Sequence, residues 1–243
     1  MTSAVDRAAA VWTALGTVRD PELDEPLTDL GFVSRCRVRD GAAHVLLRLP
    51  TYFCAPNFAF LMVADAYDAV SLVPGIRETV VELTDHFAAD VINTGVAARS
   101  GFRATFDGEA AAELDDLRAD FLRKAVLAGT DRLCRTMLTA GTTPAALPGL
   151  TLGDAPAGGD RDRLRARRRE LGLPHADADP LVIDPVTGLP VGPADLRRHL
   201  GLARLTRVSQ EANSGVCRGM LRARYPEARQ SHESATLGQE HQS

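Results

Sequence analysis

The sequence predicts an α+β fold: a small α-β-β-α-β domain with a three-stranded sheet, followed by a mainly helical C-terminal extension. Two observations carry this prediction. The runs 32–39 and 43–49, in which residues alternate between two faces, flank Asp40-Gly41, a dipeptide typical of tight β-hairpins. Apolar residues recur at helical spacing before the hairpin, after it and in the extension.

The remaining elements of the small domain follow from local signals. Residues 4–18 predict the first helix, which Asp20-Pro21 ends. The predicted apolar stripe of this helix consists of Val5, Ala8, Ala9, Trp12 and Leu15. A second helix begins near Pro56, because proline lacks an N–H and tolerates the first helical turn. Residues 76–83 predict the third strand.

The extension has a different character. Residues 109–140 are strongly helical, and the Gly-, Pro- and Thr-rich segment 141–160 predicts a loop or linker. Residues 161–171 predict a short basic helix, 181–191 an extended segment with a turn, and 193–225 one or two more helices.

These signals divide the chain into an α/β domain at 1–84, a mainly helical extension at 85–226 and a polar tail at 227–243, predicted to be disordered. The net charge of −4 gives no general attraction to nucleic acid or anionic membranes. No apolar run is long enough for a membrane span, and the N-terminus lacks the features of a signal peptide. A cytoplasmic location is therefore expected.

The 4 cysteines lie far apart, which indicates neither a disulfide framework nor a structural zinc site. Cys54 differs from the others because it lies between a strand end and a helix start. Free N–H groups and the dipole of a first helical turn stabilise a thiolate, the form that binds metal or attacks electrophiles. The alternative is a buried loop cysteine that acts only as a small apolar side chain.

Three segments together resemble one known family. They are DPELDEPLTDLGFV (20–33), LRLPTYFCAP (47–56) and VPGIRETVVEL (73–83). Their order and spacing resemble the PaaD and SufT group of iron–sulfur cluster assembly domains over residues 6–84. The resemblance implies the same α-β-β-α-β fold and a role in iron–sulfur cluster assembly.

The resemblance also implies which residues form the site. Asp20 and Glu22 match the family's DPE element, and Asp29 matches the acidic position before the first strand. Thr51 and Cys54 match the reactive Thr-x-x-Cys segment. For the acidic residues, solvated loop carboxylates are the simpler interpretation, and an approach of Asp20 or Glu22 to Cys54 is the other.

This chain departs from the family pattern at one point. Family members often have Gly-Cys-Pro, whereas this chain has Phe53-Cys54-Ala55-Pro56. The bulk of Phe53 and the additional residue before Pro56 are expected to change access to the thiol.

Ligand counting restricts the mechanism. Iron–sulfur clusters are usually held by about four protein ligands, and Cys36 and Cys134 are expected to be core residues. Cys54 therefore handles iron or a cluster transiently: two chains share it, a client or small thiol supplies ligands, or no stable cluster forms. His86 and Cys217 are secondary metal candidates, for which a lone surface histidine and a helix-packing cysteine are the alternatives.

The leading hypothesis is a non-catalytic maturation factor for a client metalloenzyme, such as a bacterial metal-dependent oxygenase. Under this hypothesis the protein acts on a client protein, either as a single chain or as a homodimer, and binds neither nucleic acid nor membrane. The sequence shows no nucleotide motif. The second hypothesis is an enzyme with Cys54 as nucleophile and His44 or His86 as base. The third, nucleic-acid binding through 161–169, lacks an aromatic platform, so a solvated basic face is favoured.

Overall fold

The computed structural model describes residues 4–106 and 114–226. The elements of the N-terminal part are α1 (Ala4–Leu15), α2 (Leu27–Leu30), β1 (Val33–Arg39), β2 (Ala42–Arg48), α3 (Pro56–Ser71), β3 (Glu78–Thr84), α4 (Ala89–Ala97) and α5 (Phe102–Thr105). They are followed by α6 (Asp115–Thr139), two 3₁₀ helices (Pro144–Gly149 and Leu152–Asp154), α7 (Gly159–Glu170) and α8 (Pro193–Arg224).

The chain forms two compact units. Among the described residues, the first unit contains 4–21, 25–106, Leu114 and 213–226, and the second contains 22–24 and 115–212. The first unit therefore does not coincide with the predicted domain at 1–84. That residues 1–84 form a self-contained domain stays a prediction. The predicted tail at 227–243 lies outside the described residues.

A three-stranded mixed sheet in the order β1-β2-β3 forms the framework of the first unit. β1 and β2 are antiparallel and joined by Asp40 (φ 51°) and Gly41 (φ 80°), a left-handed pair that a tight hairpin requires. β3 is parallel to β2, and α3 connects the two strands. The α+β class, the α-β-β-α-β order and the mainly helical C-terminal region are confirmed.

The core of the first unit lies against one face of this sheet. The alternation in β2 is as predicted, since Ala43, Val45 and Leu47 are all buried. In α1 the predicted apolar stripe is partly wrong, because Trp12 is 45% exposed and Ala9 is exposed. The buried residues are Val11 and Leu15, spaced four apart, so the inward face is turned away from Trp12.

The second unit has its own apolar core. α6 and α7 pack together, and 144–155 contributes Leu147, Leu152 and Ala155 to the interior. The segment 141–160, for which the sequence predicts a loop or linker, therefore forms part of a packed core. Its short 3₁₀ helices contain the Gly and Pro residues that oppose a longer helix. Residues 193–224 form a single helix.

Membrane insertion through a helix has no support in 4–106 or 114–226. None of the helices described there combines the length and the apolar character that a bilayer crossing requires.

Candidate functional site

Cys54 lies in the loop between β2 and α3, where it is half-buried. Thr51 Oγ1 is 3.3 Å from the Cys54 sulfur, so the two residues of the Thr-x-x-Cys segment are in contact. Stabilisation of the Cys54 thiolate by the first turn of α3 stays a prediction. Pro56 has no N–H, and the Phe58 N–H already bonds to the Ala55 carbonyl at 3.0 Å.

His86 is buried directly beneath this loop, with 4% of its surface exposed. Its Nε2 donates to the Cys54 carbonyl at 2.7 Å, and its Nδ1 accepts the Ala88 N–H at 3.2 Å. These two bonds fix the neutral ring with its proton on Nε2. Burial is the main cause that lowers the pKa of His86 below its ordinary value. His86 therefore holds the Cys54 backbone in place, and both of its nitrogens are engaged.

Three exposed aromatic rings lie on the loop that carries Cys54 and on the neighbouring loop after β3. Tyr52 and Phe53 precede Cys54, and Phe87 follows His86 on the neighbouring loop. Phe53 is 77% exposed, and the other two rings are about half exposed. The ring centres of Tyr52 and Phe53 are 5.0 Å apart, and both lie 6.3 Å from that of Phe87. Exposed apolar clusters of this kind are typical of protein contact sites.

The C-terminal end of α8 contacts the same two loops. Arg224 donates to the Leu49 carbonyl at 3.2 Å and to the Asp85 carbonyl. The Tyr225 hydroxyl donates to the Asp85 carboxylate at 3.0 Å, and the Arg48 guanidinium lies 4.7 Å from the centre of the Tyr225 ring. Sequence reasoning missed Arg224 and Tyr225.

The sequence contains a pattern that indicates which face of the end of α8 makes these contacts. Arg218, Leu221 and Tyr225 follow the i, i+3, i+7 spacing that places residues on one face of a helix. Leu221 is buried, and its Cδ2 lies 3.3 Å from where a Cβ at Gly31 would be. This face belongs to the part of α8 after Ala212, which packs within the first unit.

The predicted acidic residues surround the turn before β1. Asp20 is 8% exposed, and its N–H donates to the Glu25 carbonyl at 3.0 Å. Asp29 is exposed, and its carbonyl accepts a bond from Arg218, which also pairs with Glu25. Glu22 belongs to the second unit, where its carbonyl accepts the Gln210 side-chain amide at 3.1 Å. In the described contacts Asp20 bonds within its own loop, and Asp29 and Glu22 each accept a bond from α8. Thr51 and His86, in contrast, contact Cys54.

The other cysteines differ from Cys54 in their surroundings. Cys36 is half-buried in β1, and burial raises the pKa of its thiol. Cys134 is 1% exposed, and burial is the largest cause that raises the pKa of its thiol to about 12, so it is an inert core residue as expected. Cys217 is half-buried in α8.

Metal ligands do not gather into a complete site in the part of the chain that the structure describes. In those residues no three side chains of His, Cys, Asp or Glu come together in a way that could hold an ion.

Three features of the first unit define its class of protein. They are the α-β-β-α-β order, the mixed three-stranded sheet and a half-buried thiol on the β2–α3 loop. Residues 8–83 match the family described as iron-sulfur cluster assembly protein. The match confirms the resemblance found for 6–84, and it supports a role in iron–sulfur cluster assembly. No curated protein shows significant similarity to the chain.

Proposed function

We propose that this protein is a cytoplasmic maturation factor that passes iron or an iron–sulfur cluster to a client metalloprotein through Cys54. The observation that carries the proposal is the family match over residues 8–83, which contain Cys54 on the β2–α3 loop. The cargo is the substrate of this protein and is held only transiently.

The chemistry assigned to Cys54 is the formation of a single iron–thiolate bond. The Thr51 hydroxyl lies 3.3 Å from the sulfur and stabilises it by a hydrogen bond. The remaining iron ligands come from the client, from a small thiol or from a second copy of the chain. Because one protein bond is weaker than a full set of four, the cargo leaves readily once the client offers its own ligands.

The aromatic cluster of Tyr52, Phe53 and Phe87 supports a transfer between proteins. It places an apolar contact surface on the loop that carries Cys54 and on the neighbouring loop, and a docked client would exclude water from the exchange. As client we propose a metal-dependent oxygenase, by analogy with the systems that PaaD-type domains accompany.

A cysteine-nucleophile enzyme has less support. His86 directs Nε2 to the backbone carbonyl of Cys54, and its Nδ1 already accepts a backbone N–H. His44 lies on β2 with its Nε2 2.7 Å from Glu82. In the described contacts neither histidine bonds to the Cys54 sulfur through a ring nitrogen, as a general base would.

The test compares Cys54→Ser with Cys36→Ser, a matched change at another half-buried cysteine. Both variants and the wild type are loaded anaerobically with ferrous iron, sulfide and glutathione, and transfer to an apo-ferredoxin is followed by visible absorption. We expect Cys54→Ser to transfer at least roughly tenfold more slowly, because a metal-binding group is lost, while Cys36→Ser keeps the wild-type rate. Equal iron content and equal transfer rates for Cys54→Ser and wild type would overturn the proposal.

A further inference from the structure

We infer that Arg224 and Tyr225, at the end of α8, are positioning residues for Cys54. The inference deepens the proposed function and rests on it only in taking Cys54 as the working thiol. Neither residue touches the sulfur in the described contacts; both act on the loops that carry it. The family match ends at residue 83, so both residues lie outside it.

The first step is a bridge between the two loops of the site. Leu49 is the residue after β2, where the Cys54 loop begins, and Asp85 is the residue after β3. Arg224 donates one N–H to the carbonyl of each. A guanidinium is suited to this bridge, because its planar fork offers two donors in a fixed geometry.

The second step concerns the conformation of Asp85. Its φ of 53° is left-handed, a region that residues other than glycine seldom adopt. Arg224 holds its carbonyl and the Tyr225 hydroxyl holds its carboxylate at 3.0 Å. The end of α8 therefore stabilises the turn that sends the chain from β3 into His86.

The third step links this turn to the thiol. His86 donates to the Cys54 carbonyl at 2.7 Å, and the Phe87 N–H donates to the Tyr52 carbonyl at 3.2 Å. The loop after β3 is thus bonded twice to the loop that carries Cys54. When α8 fixes Asp85, it fixes the residues that hold the Cys54 backbone.

The experiment measures how readily Cys54 reacts in the full-length protein. Iodoacetamide labelling at pH 8 is followed by peptide mass spectrometry for the wild type, Arg224→Ala, Arg224→Lys and Tyr225→Phe. Arg222→Ala is the matched control, because Arg222 is exposed on the same helical turn. Hydrogen exchange at the Phe87 amide reports the bond between the loops. Cys134, whose pKa is raised to about 12, is the internal standard and should not label.

We expect Tyr225→Phe to accelerate both labelling of Cys54 and exchange at Phe87 by a factor of roughly 2 to 12, the range that one net hydrogen bond contributes. Arg224→Ala removes two bonds and should accelerate both at least as much. Loss of positive charge alone would disfavour the thiolate and slow the labelling, so acceleration identifies a loosened loop. Arg224→Lys keeps the charge but offers one nitrogen, so its rates should fall between those of wild type and Arg224→Ala.

Two results would overturn the inference. One is a Cys54 labelling rate that stays at the wild-type value in both Arg224→Ala and Tyr225→Phe. The other is an equal acceleration in Arg222→Ala, which would indicate general fraying of the helix end. Labelling requires no iron, so the two tests are independent. A wild-type transfer rate in Cys54→Ser would overturn the proposed function. The labelling rates would still show whether Arg224 and Tyr225 position Cys54.

Discussion

The two units use arginine in different ways. In the second unit Arg167, Arg168 and Arg207 are each at most 8% exposed, so they form part of the interior. In the first unit Arg218 and Arg224 are half-buried at the surface and bond to loop carbonyls. Arginine side chains thus form part of the core in the second unit, whereas in the first unit they bond to the segments around the candidate site.

The difference appears in the partners of the buried guanidinium groups. Arg168 is fully buried and donates to the carbonyls of Pro180, at 2.8 Å, and Leu181. Burial lowers the pKa of Arg168 to about 10. Arg207 is bonded to two carboxylates, the buried Asp131 and the exposed Glu211. Because a buried charge needs its partners, the stability of the second unit should depend on these bonds far more than that of the first unit does.

The largest effect is expected for Asp131→Asn. This change leaves the buried Arg207 with one neutral and one exposed partner, and we expect a loss of about 3 kcal/mol in the free energy of unfolding. Glu211→Gln is the matched control, since the Glu211 side chain is 55% exposed, and should cost less than about 1 kcal/mol. Urea unfolding followed by far-ultraviolet circular dichroism measures both. Equal costs for the two variants would contradict the distinction between buried and exposed partners.

A smaller effect is expected for Arg218→Ala in the first unit. Arg218 is 36% exposed, and its bonds to Glu25 and to the Asp29 carbonyl should contribute about 1 kcal/mol or less. The fluorescence of Trp12, the single tryptophan, reports unfolding of this unit. Arg222→Ala should leave the transition unchanged. A loss of 3 kcal/mol or more in Arg218→Ala, on the scale of buried pairs, would show that surface arginines also support the core.

The smallest effect is expected for the pH response of His199 in the second unit. Burial is the main cause that lowers the pKa of His199, with Arg168 adding to it and Asp184 opposing it. The folded chain therefore favours the neutral ring. The stability that this gives is fully present above the ordinary value of 6.5 and is lost as the pH falls below it.

The corresponding measurement is urea unfolding at pH 7.5 and 5.5. The wild type should lose more stability on this change than His199→Gln, which has no titrating group at the position. An identical loss in the two proteins would show that His199 does not contribute to the acid sensitivity of the second unit.

The N-terminal fold could be predicted because its signals are local, and the resemblance to the family pointed to Thr51 and Cys54 as residues of one segment. Asp40-Gly41 sets the hairpin, and a spacing of three residues brings Thr51 to the sulfur. The contribution of Arg224 could not be predicted, because its partner Leu49 is 175 residues away. With 28 basic residues in the chain, nothing in the composition distinguishes this arginine from the others.

Two further differences between sequence and structure have physical causes. Trp12 is large and apolar, which favours a core position, yet Val11 and Leu15 define the buried face of α1. The composition of 141–160 is typical of a loop, but Leu147 and Leu152 are fully buried in the second unit. At both places tertiary packing determines which residues are buried, and neither periodicity nor composition alone predicts this burial.

The position of the bridge in the sequence has a consequence for biosynthesis. A chain is made from its N-terminus, and domains begin to fold as they emerge. Cys54 emerges early, but Arg224 follows Leu49 by 175 residues. The bonds from α8 to the two loops can therefore form only after residue 224 has been synthesised. Until then the two loops lack the hydrogen bonds that Arg224 and Tyr225 donate.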